Sequence, residues 1–159
     1  MMKTCHFYYF SERVIRMNLS GMMNRQIANW TVLYVKLHNF HWYVTGESFY
    51  TLHAKFEELY NEAAAHIDEL AERLLAIGGK PVAALSESLK LATIREAEGE
   101  KSAREMVQTL VDDFSQLIRE LKEGTALAES EGDEATADLL LAMRTGLEKQ
   151  VWMLKAFLA

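Results

Sequence analysis

The sequence predicts an all-α protein, a four-helix bundle with a long connection between its second and third helices. Three observations carry that prediction. Only one proline and eight glycines interrupt 159 residues, so few positions force a turn. Leu, Ala, Glu and Lys fill most of the intervening sequence, and all four favour helix. Apolar residues then recur at three- and four-residue steps through four long stretches, which is the period of one helix face.

The first helix is expected from about Asn24, because Ile27, Trp30, Tyr34, Leu37 and His41 share one face up to a break near Gly46. The second runs from near Ser48 to Ile77 on Leu52, Phe56, Leu59, Ala63, Ile67, Leu70, Leu74 and Ile77. Gly78 and Gly79 can close it in the left-handed conformation, and Pro81 cannot continue it. Residues 82–99 read as a crossover holding one short helix around Ser86 to Leu91. A third helix is marked by Ala103, Val107, Leu110, Phe114, Leu117 and Leu121. The fourth follows Asp133, a plausible N-cap, on Leu140, Met143, Leu147, Val151, Leu154 and Leu158.

Residues 1–23 show no sustained period, and Met17, Met22 and Met23 are alternative starting points. The expectation is therefore an N-terminal extension over 1–23, upstream of the true start or disordered, followed by one domain over 24–159. The single cysteine, Cys5, cannot form an internal disulfide, and its apolar surroundings end at Ser11, Glu12 and Arg13 before reaching signal-peptide length. Nothing approaches the roughly 18–20 uninterrupted apolar residues of a membrane span, so a cytoplasmic location is expected.

Formal charge is −6. Residues 1–23 carry Lys3, Arg13 and Arg16 against Glu12, which leaves −8 on the rest. Such a body attracts cations and repels phosphate. Counterion release on nucleic acid needs several Lys or Arg contacts, so direct DNA binding is not expected beyond those three basic residues.

Three of the five histidines, His38, His41 and His53, lie in "HNFHWYVTGESFYTLHAKFEELY". On the second helix His53 and Glu57 form one i, i+4 pair, and Asp68 and Glu72 form another. Imidazole mixed with carboxylate suits divalent iron, manganese or zinc rather than calcium or magnesium. Fifteen residues separate His53 from Asp68, which is roughly 22 Å of helix but only about 60° of azimuth. One helix cannot bring both to one ion. Two copies crossing antiparallel about a two-fold axis would join the His53 end of one to the Asp68 end of the other, creating two equivalent composite sites. His41 enters through the hairpin, since it precedes Gly46 by about as far as His53 follows it. A di-iron centre inside a single bundle would need Glu-x-x-His on two helices, and no histidine follows His66. His38 and His66 read as packing or boundary residues, and His6 lies in the extension.

The segments "HNFHWYVTG", "FYTLHAKFEELY" and "HIDELAERLLAIGGKP" resemble the defining segments of the Dps family, the starved-cell branch of the ferritin superfamily, over roughly Asn24 to Ala159. The resemblance implies a ferritin-like bundle assembled into a dodecameric cage. Such a cage oxidises ferrous iron, preferably with hydrogen peroxide, and stores ferric mineral inside. It further implies that His41, His53, Glu57, Asp68 and Glu72 form an inter-subunit ferroxidase site; position 57 is often aspartate in the family, and glutamate keeps the charge. Trp42 adjoins that site and would scavenge stray oxidising equivalents, with Trp152 a weaker choice, although both read more simply as packing residues. Glu129, Glu134 and Asp138 resemble the acidic lining of three-fold pores for iron, against the plainer reading of a solvated helix start. The alternative function is a DNA-binding, nucleoid-condensing protein with little catalytic role.

Overall fold

The computed structural model describes residues 18–99 and 102–159, and these form five helices and no strands. They are α1 (Leu19–Tyr43), α2 (Phe49–Ala76), α3 (Leu85–Leu91), α4 (Ala103–Ser130) and α5 (Glu134–Leu158). Cys5, His6, Lys3, Arg13 and Arg16 lie outside the described residues.

Helix α1 starts at Leu19, ahead of the expected Asn24. The Asn18 side chain accepts a hydrogen bond from the Gly21 N–H at 2.8 Å, and Leu19, Met22 and Met23 are buried in the core. The cap satisfies a donor that the first turn leaves open. Helix α4 outlasts its last large apolar marker, Leu121, by two turns. Its final stretch packs through the small residues Gly124, Thr125 and Ala128, and Gly124 lies close against the end of the Met22 side chain. The other boundaries fall where the sequence placed them. Ser48 and Ile77 flank α2, Gly78 has φ +82°, and Asp133 caps α5 by accepting from the Thr136 N–H.

Cross-helix contacts fix the topology. Trp30 meets His66, and His41 meets His53, so α1 and α2 are antiparallel. Gln26 and Asn29 reach Glu120 while Lys36 reaches Asp113, so α1 and α4 are also antiparallel. Arg73 meets Asp133 and Glu62 meets Gln150, which sets α2 antiparallel to α5. Helices α2 and α4 therefore run parallel, and the chain must travel the length of the bundle between them. That need explains the crossover.

The interior is lined by Trp30, Phe40, Phe56 and Phe114 with Leu33, Leu37, Leu70, Leu74, Leu110 and Leu117, all fully buried. Trp30 alone among the three tryptophans fills the core. Trp42 and Trp152 are 67% and 68% exposed, so packing within the subunit is not their role.

Two asparagines of α1 hold the crossover at both ends. Asn24 donates to the Lys80 carbonyl at 3.0 Å and accepts from the Val82 N–H at 2.7 Å. Asn29, fully buried, accepts from the Thr93 N–H at 2.7 Å and donates to Glu120 at 2.9 Å. Buried amides are costly unless paired in this way. Beside them, Lys36 is almost entirely buried and pairs with Asp113 at 2.6 Å.

Candidate metal centre

The α1–α2 hairpin builds the first half of the site. Helix α1 ends at Tyr43, buried Val44 anchors the turn, and Gly46 takes φ +95°, a conformation open to glycine at little cost. The Phe49 N–H then donates to the Gly46 carbonyl at 3.0 Å and starts α2. His41, near the end of α1, thereby comes level with His53, in the second turn of α2.

The two imidazoles stack with centroids 3.7 Å apart and planes 18° from parallel. Nδ1–H of His41 donates to the His53 main-chain oxygen at 2.8 Å, and Nδ1–H of His53 donates to the His41 main-chain oxygen at 2.8 Å. A carbonyl only accepts, so both bonds require the proton on Nδ1. In the neutral ring Nε2 is then left with a free lone pair, the form in which histidine binds metals. Phe49 stacks on the other side of His53 at 5.0 Å.

Around this pair the ring contacts extend further. Tyr60 stands edge-on to His41 at 5.4 Å and stacks on His38 at 3.9 Å, while His38 meets Trp42 at 5.4 Å. Partial desolvation, together with the charge and hydrogen bond of Glu57, raises the Tyr60 phenol above its ordinary range. The Tyr60 hydroxyl therefore keeps its proton and donates a hydrogen bond to Glu57. The sequence reading missed Tyr60; its position, one turn beyond Glu57 on the His53 side of α2, is the signal that would have found it.

The second half is separate. Asp68 and Glu72 are exposed on α2, as is Glu57. Because α2 is one uninterrupted helix of 28 residues, Asp68 stays roughly 22 Å from His53 along the axis. Among the described residues no three His, Cys, Asp or Glu side chains of a single chain are placed to share one metal ion. The structure thus brings His41 and His53 together, sets Glu57 beside Tyr60, and leaves Asp68 and Glu72 apart. Val35, Trp42, Tyr43, Tyr50 and Leu75 are large apolar side chains exposed on these same two helices.

The expected pore residues lie at the opposite end of α2. Glu129 is in the last turn of α4, and Glu134 and Asp138 are in the first turns of α5, all three exposed. Asp133 between them is engaged: Arg73 of α2 pairs with it at 2.5 Å, and the Thr136 hydroxyl donates to it at 2.6 Å. Burial opposes ionisation of Asp133, but the Thr136 hydrogen bonds and the Arg73 charge outweigh it and hold the carboxyl below its ordinary value. Among the described residues no helix is long and apolar enough to cross a membrane.

A bundle of two antiparallel helix pairs joined by a full-length crossover is a ferritin-like protein, and residues 21–159 match the Ferritin-like domain family. The chain belongs to the Dps branch of that superfamily. It is 59% identical to the DNA protection during starvation protein of Brevibacillus brevis over 91% of this chain and 97% of that one. It is likewise 59% identical to general stress protein 20U of Bacillus subtilis strain 168, over 86% of this chain and 94% of the relative. The crystal structure of a Dps protein from Bacillus brevis superposes with a TM-score of 0.88 at 60% identity, covering 89% of this chain and 95% of that chain.

Proposed function

We infer that this chain is the subunit of a cytoplasmic mini-ferritin that oxidises ferrous iron, preferably with hydrogen peroxide. It stores the ferric product inside a dodecameric cage and thereby protects DNA from oxidative damage. Iron is its substrate and cargo. The observation that carries the reading is the reciprocal hydrogen bonding of His41 and His53, which leaves both Nε2 atoms free for metal in a half-site that one chain does not complete.

His41 and His53 of one subunit would hold ferrous iron together with the Asp68 and Glu72 positions of a second copy, with Glu57 close by. The exposed Val35, Trp42, Tyr43, Tyr50 and Leu75 support that pairing, since an apolar face of this kind is usually covered by a partner. Two ferrous ions held together give two electrons to one peroxide: two Fe2+, one H2O2 and two protons become two Fe3+ and two waters. No hydroxyl radical is released. Carboxylates, as hard ligands, favour the ferric product. Glu129, Glu134 and Asp138 would line the path of ferrous ions into the cage, where clustered negative charge raises their local concentration. Trp42, exposed beside His41 and in ring contact with His38, would give up an electron to a stray oxidant.

This protection works by removing iron and peroxide and needs no contact with DNA. The test adds ferrous iron and then peroxide, without oxygen, to the metal-free protein. Fast growth of ferric absorbance with little radical trapping supports the reading, and a rate equal to the protein-free background would leave only a shell. A gel shift at low salt separates the nucleoid-condensing alternative: plasmid retarded by the metal-free protein, and released by salt, would favour it.

A further inference from the structure

Between α2 and α5 of one subunit, two carboxylates flank His66. Nδ1 of His66 lies 3.3 Å from the Glu69 carboxylate. Nε2 lies 3.7 Å from Oε1 of Glu62, too long for a good hydrogen bond. In the neutral tautomer whose proton sits on Nδ1 and faces Glu69, the imidazole turns a lone pair toward a second carboxylate. A carboxylate that fixes the far nitrogen of a histidine is the usual support of a metal-binding imidazole.

A further polar group reaches Glu62 from α5. Gln150 is more than nine-tenths buried; its Nε2 donates to Oε2 of Glu62 at 3.4 Å, while its Oε1 has no hydrogen-bond partner. A buried acceptor left open in this way is rare and costly. Gly146, one turn earlier on α5, leaves room beside the same carboxylate: a Cβ built there would stand 3.5 Å from Oε1 of Glu62. The Trp30 ring closes the other side of His66 at 4.6 Å.

We propose that His66 Nε2, the Glu62 carboxylate and the Gln150 side-chain oxygen form a second site for one divalent transition-metal ion, held within a single subunit. The spacing suits such an ion. Bonds of about 2.1 Å at a tetrahedral angle separate two donor atoms by about 3.4 Å, close to the 3.7 Å between His66 and Glu62. Two nitrogen and oxygen side chains plus an amide oxygen suit zinc, cobalt or ferrous iron better than calcium. The site is distinct from the proposed inter-subunit site, since His66 and Asp68 are two residues apart and about 160° apart around α2.

The test uses metal-free assembled protein, without oxygen, with Co2+ as the only probe. The double variant His41→Ala/His53→Ala removes the interface histidines. It is expected to retain one Co2+ per subunit by equilibrium dialysis, with visible absorption of a nitrogen-ligated ion. Adding His66→Gln or Glu62→Gln should weaken that binding at least ten-fold, and Glu69→Gln should weaken it by roughly ten- to a hundred-fold. Glu62→Gln is nearly isosteric, so it keeps the test decisive if His66→Gln disturbs the packing on Trp30. Absence of Co2+ from the double variant, or binding indifferent to both His66→Gln and Glu62→Gln, would overturn the proposal. Iron oxidation is not read, so this outcome is separate from the fate of the interface site.

Discussion

His41 and His53 hold each other in place, each Nδ1 bonded at 2.8 Å to the main-chain oxygen of the other. The link joins the end of α1 to the start of α2 and sets both tautomers at once. Replacing either histidine should therefore have two effects that a pure ligand or a pure brace would not combine. His53→Ala should lower the peroxide-dependent oxidation rate by on the order of ten-fold or more. It should also cost about 0.5–1.5 kcal/mol for the lost hydrogen bond. Stopped-flow absorbance and urea unfolding of the metal-free protein measure the two. Loss of stability with full activity would leave the pair a hairpin clasp only.

Asp68 is exposed and removed from its own chain's histidines by about 22 Å of continuous helix. Asp68→Asn should therefore leave folding and assembly intact while slowing iron oxidation as strongly as a histidine change. Size-exclusion mass and the same kinetics test this together. Unchanged kinetics would remove Asp68 from the site, and metal located by anomalous scattering in iron-soaked crystals would identify the ligands without assuming any.

The sequence made the helices legible where large apolar residues and turn formers mark them. The Gly78, Gly79 and Pro81 stop and the Asp133 cap lie where chemistry alone placed them. It hid the start of α1, because Leu19, Met22 and Met23 extend the buried face into a segment without a visible period. It hid the end of α4, because Gly124, Thr125 and Ala128 pack by being small. The candidate ligands were legible as types and spacings, whereas the tautomer lock was not, since it depends on main-chain oxygens brought near by the hairpin. Polar residues of the interior were the least visible. Asn29, Gln26 and Gln150 find partners 64, 94 and 88 residues away, and no local pattern announces such a pairing.

Asn29 is the most consequential of those. It accepts from Thr93 in the crossover and donates to Glu120 on α4 while fully buried on α1. Asn29→Ala leaves the Thr93 N–H without its partner and Glu120 with one donor fewer, at a cost of about 1–3 kcal/mol. The expected signature is local as well as global. Limited proteolysis should cut faster near Thr93 than in α2, and hydrogen exchange there should accelerate. Equal protection in variant and wild type would show that the crossover holds without this tie.

Asp133 offers a pH prediction with a definite sign. Its carboxyl is held below its ordinary value in the folded protein, so its charge stabilises the fold above the unfolded value of about 3.9. That contribution is lost as pH falls through the lowered folded value. Asp133→Asn keeps a side chain able to cap α5 but removes the charge facing Arg73. The variant should melt below wild type near neutral pH, and the gap should close as pH drops below about 4. Other carboxylates titrate in both proteins and cancel in the difference. A gap constant from pH 6 to 3 would mean that the Arg73 charge does not stabilise Asp133.

Glu129, Glu134 and Asp138 supply a test of how iron reaches the cage interior. All three are exposed around the α4–α5 turn, while Asp133 among them is already neutralised by Arg73. Their charge is therefore available to mobile cations. Electrostatic focusing raises encounter rates by about ten- to a thousand-fold and weakens as salt screens it. The triple variant Glu129→Gln/Glu134→Gln/Asp138→Asn should slow oxidation several-fold at low ferrous concentration and low salt. The rates should converge with wild type when iron is saturating, because the oxidising ligands are untouched. Glu123→Gln, on the exposed face of α4 nearly two turns before Glu129, controls for general surface charge and should change neither rate nor salt dependence. If the control slows oxidation as much as the triple variant does, the cluster is an ordinary solvated helix start and the iron follows another path.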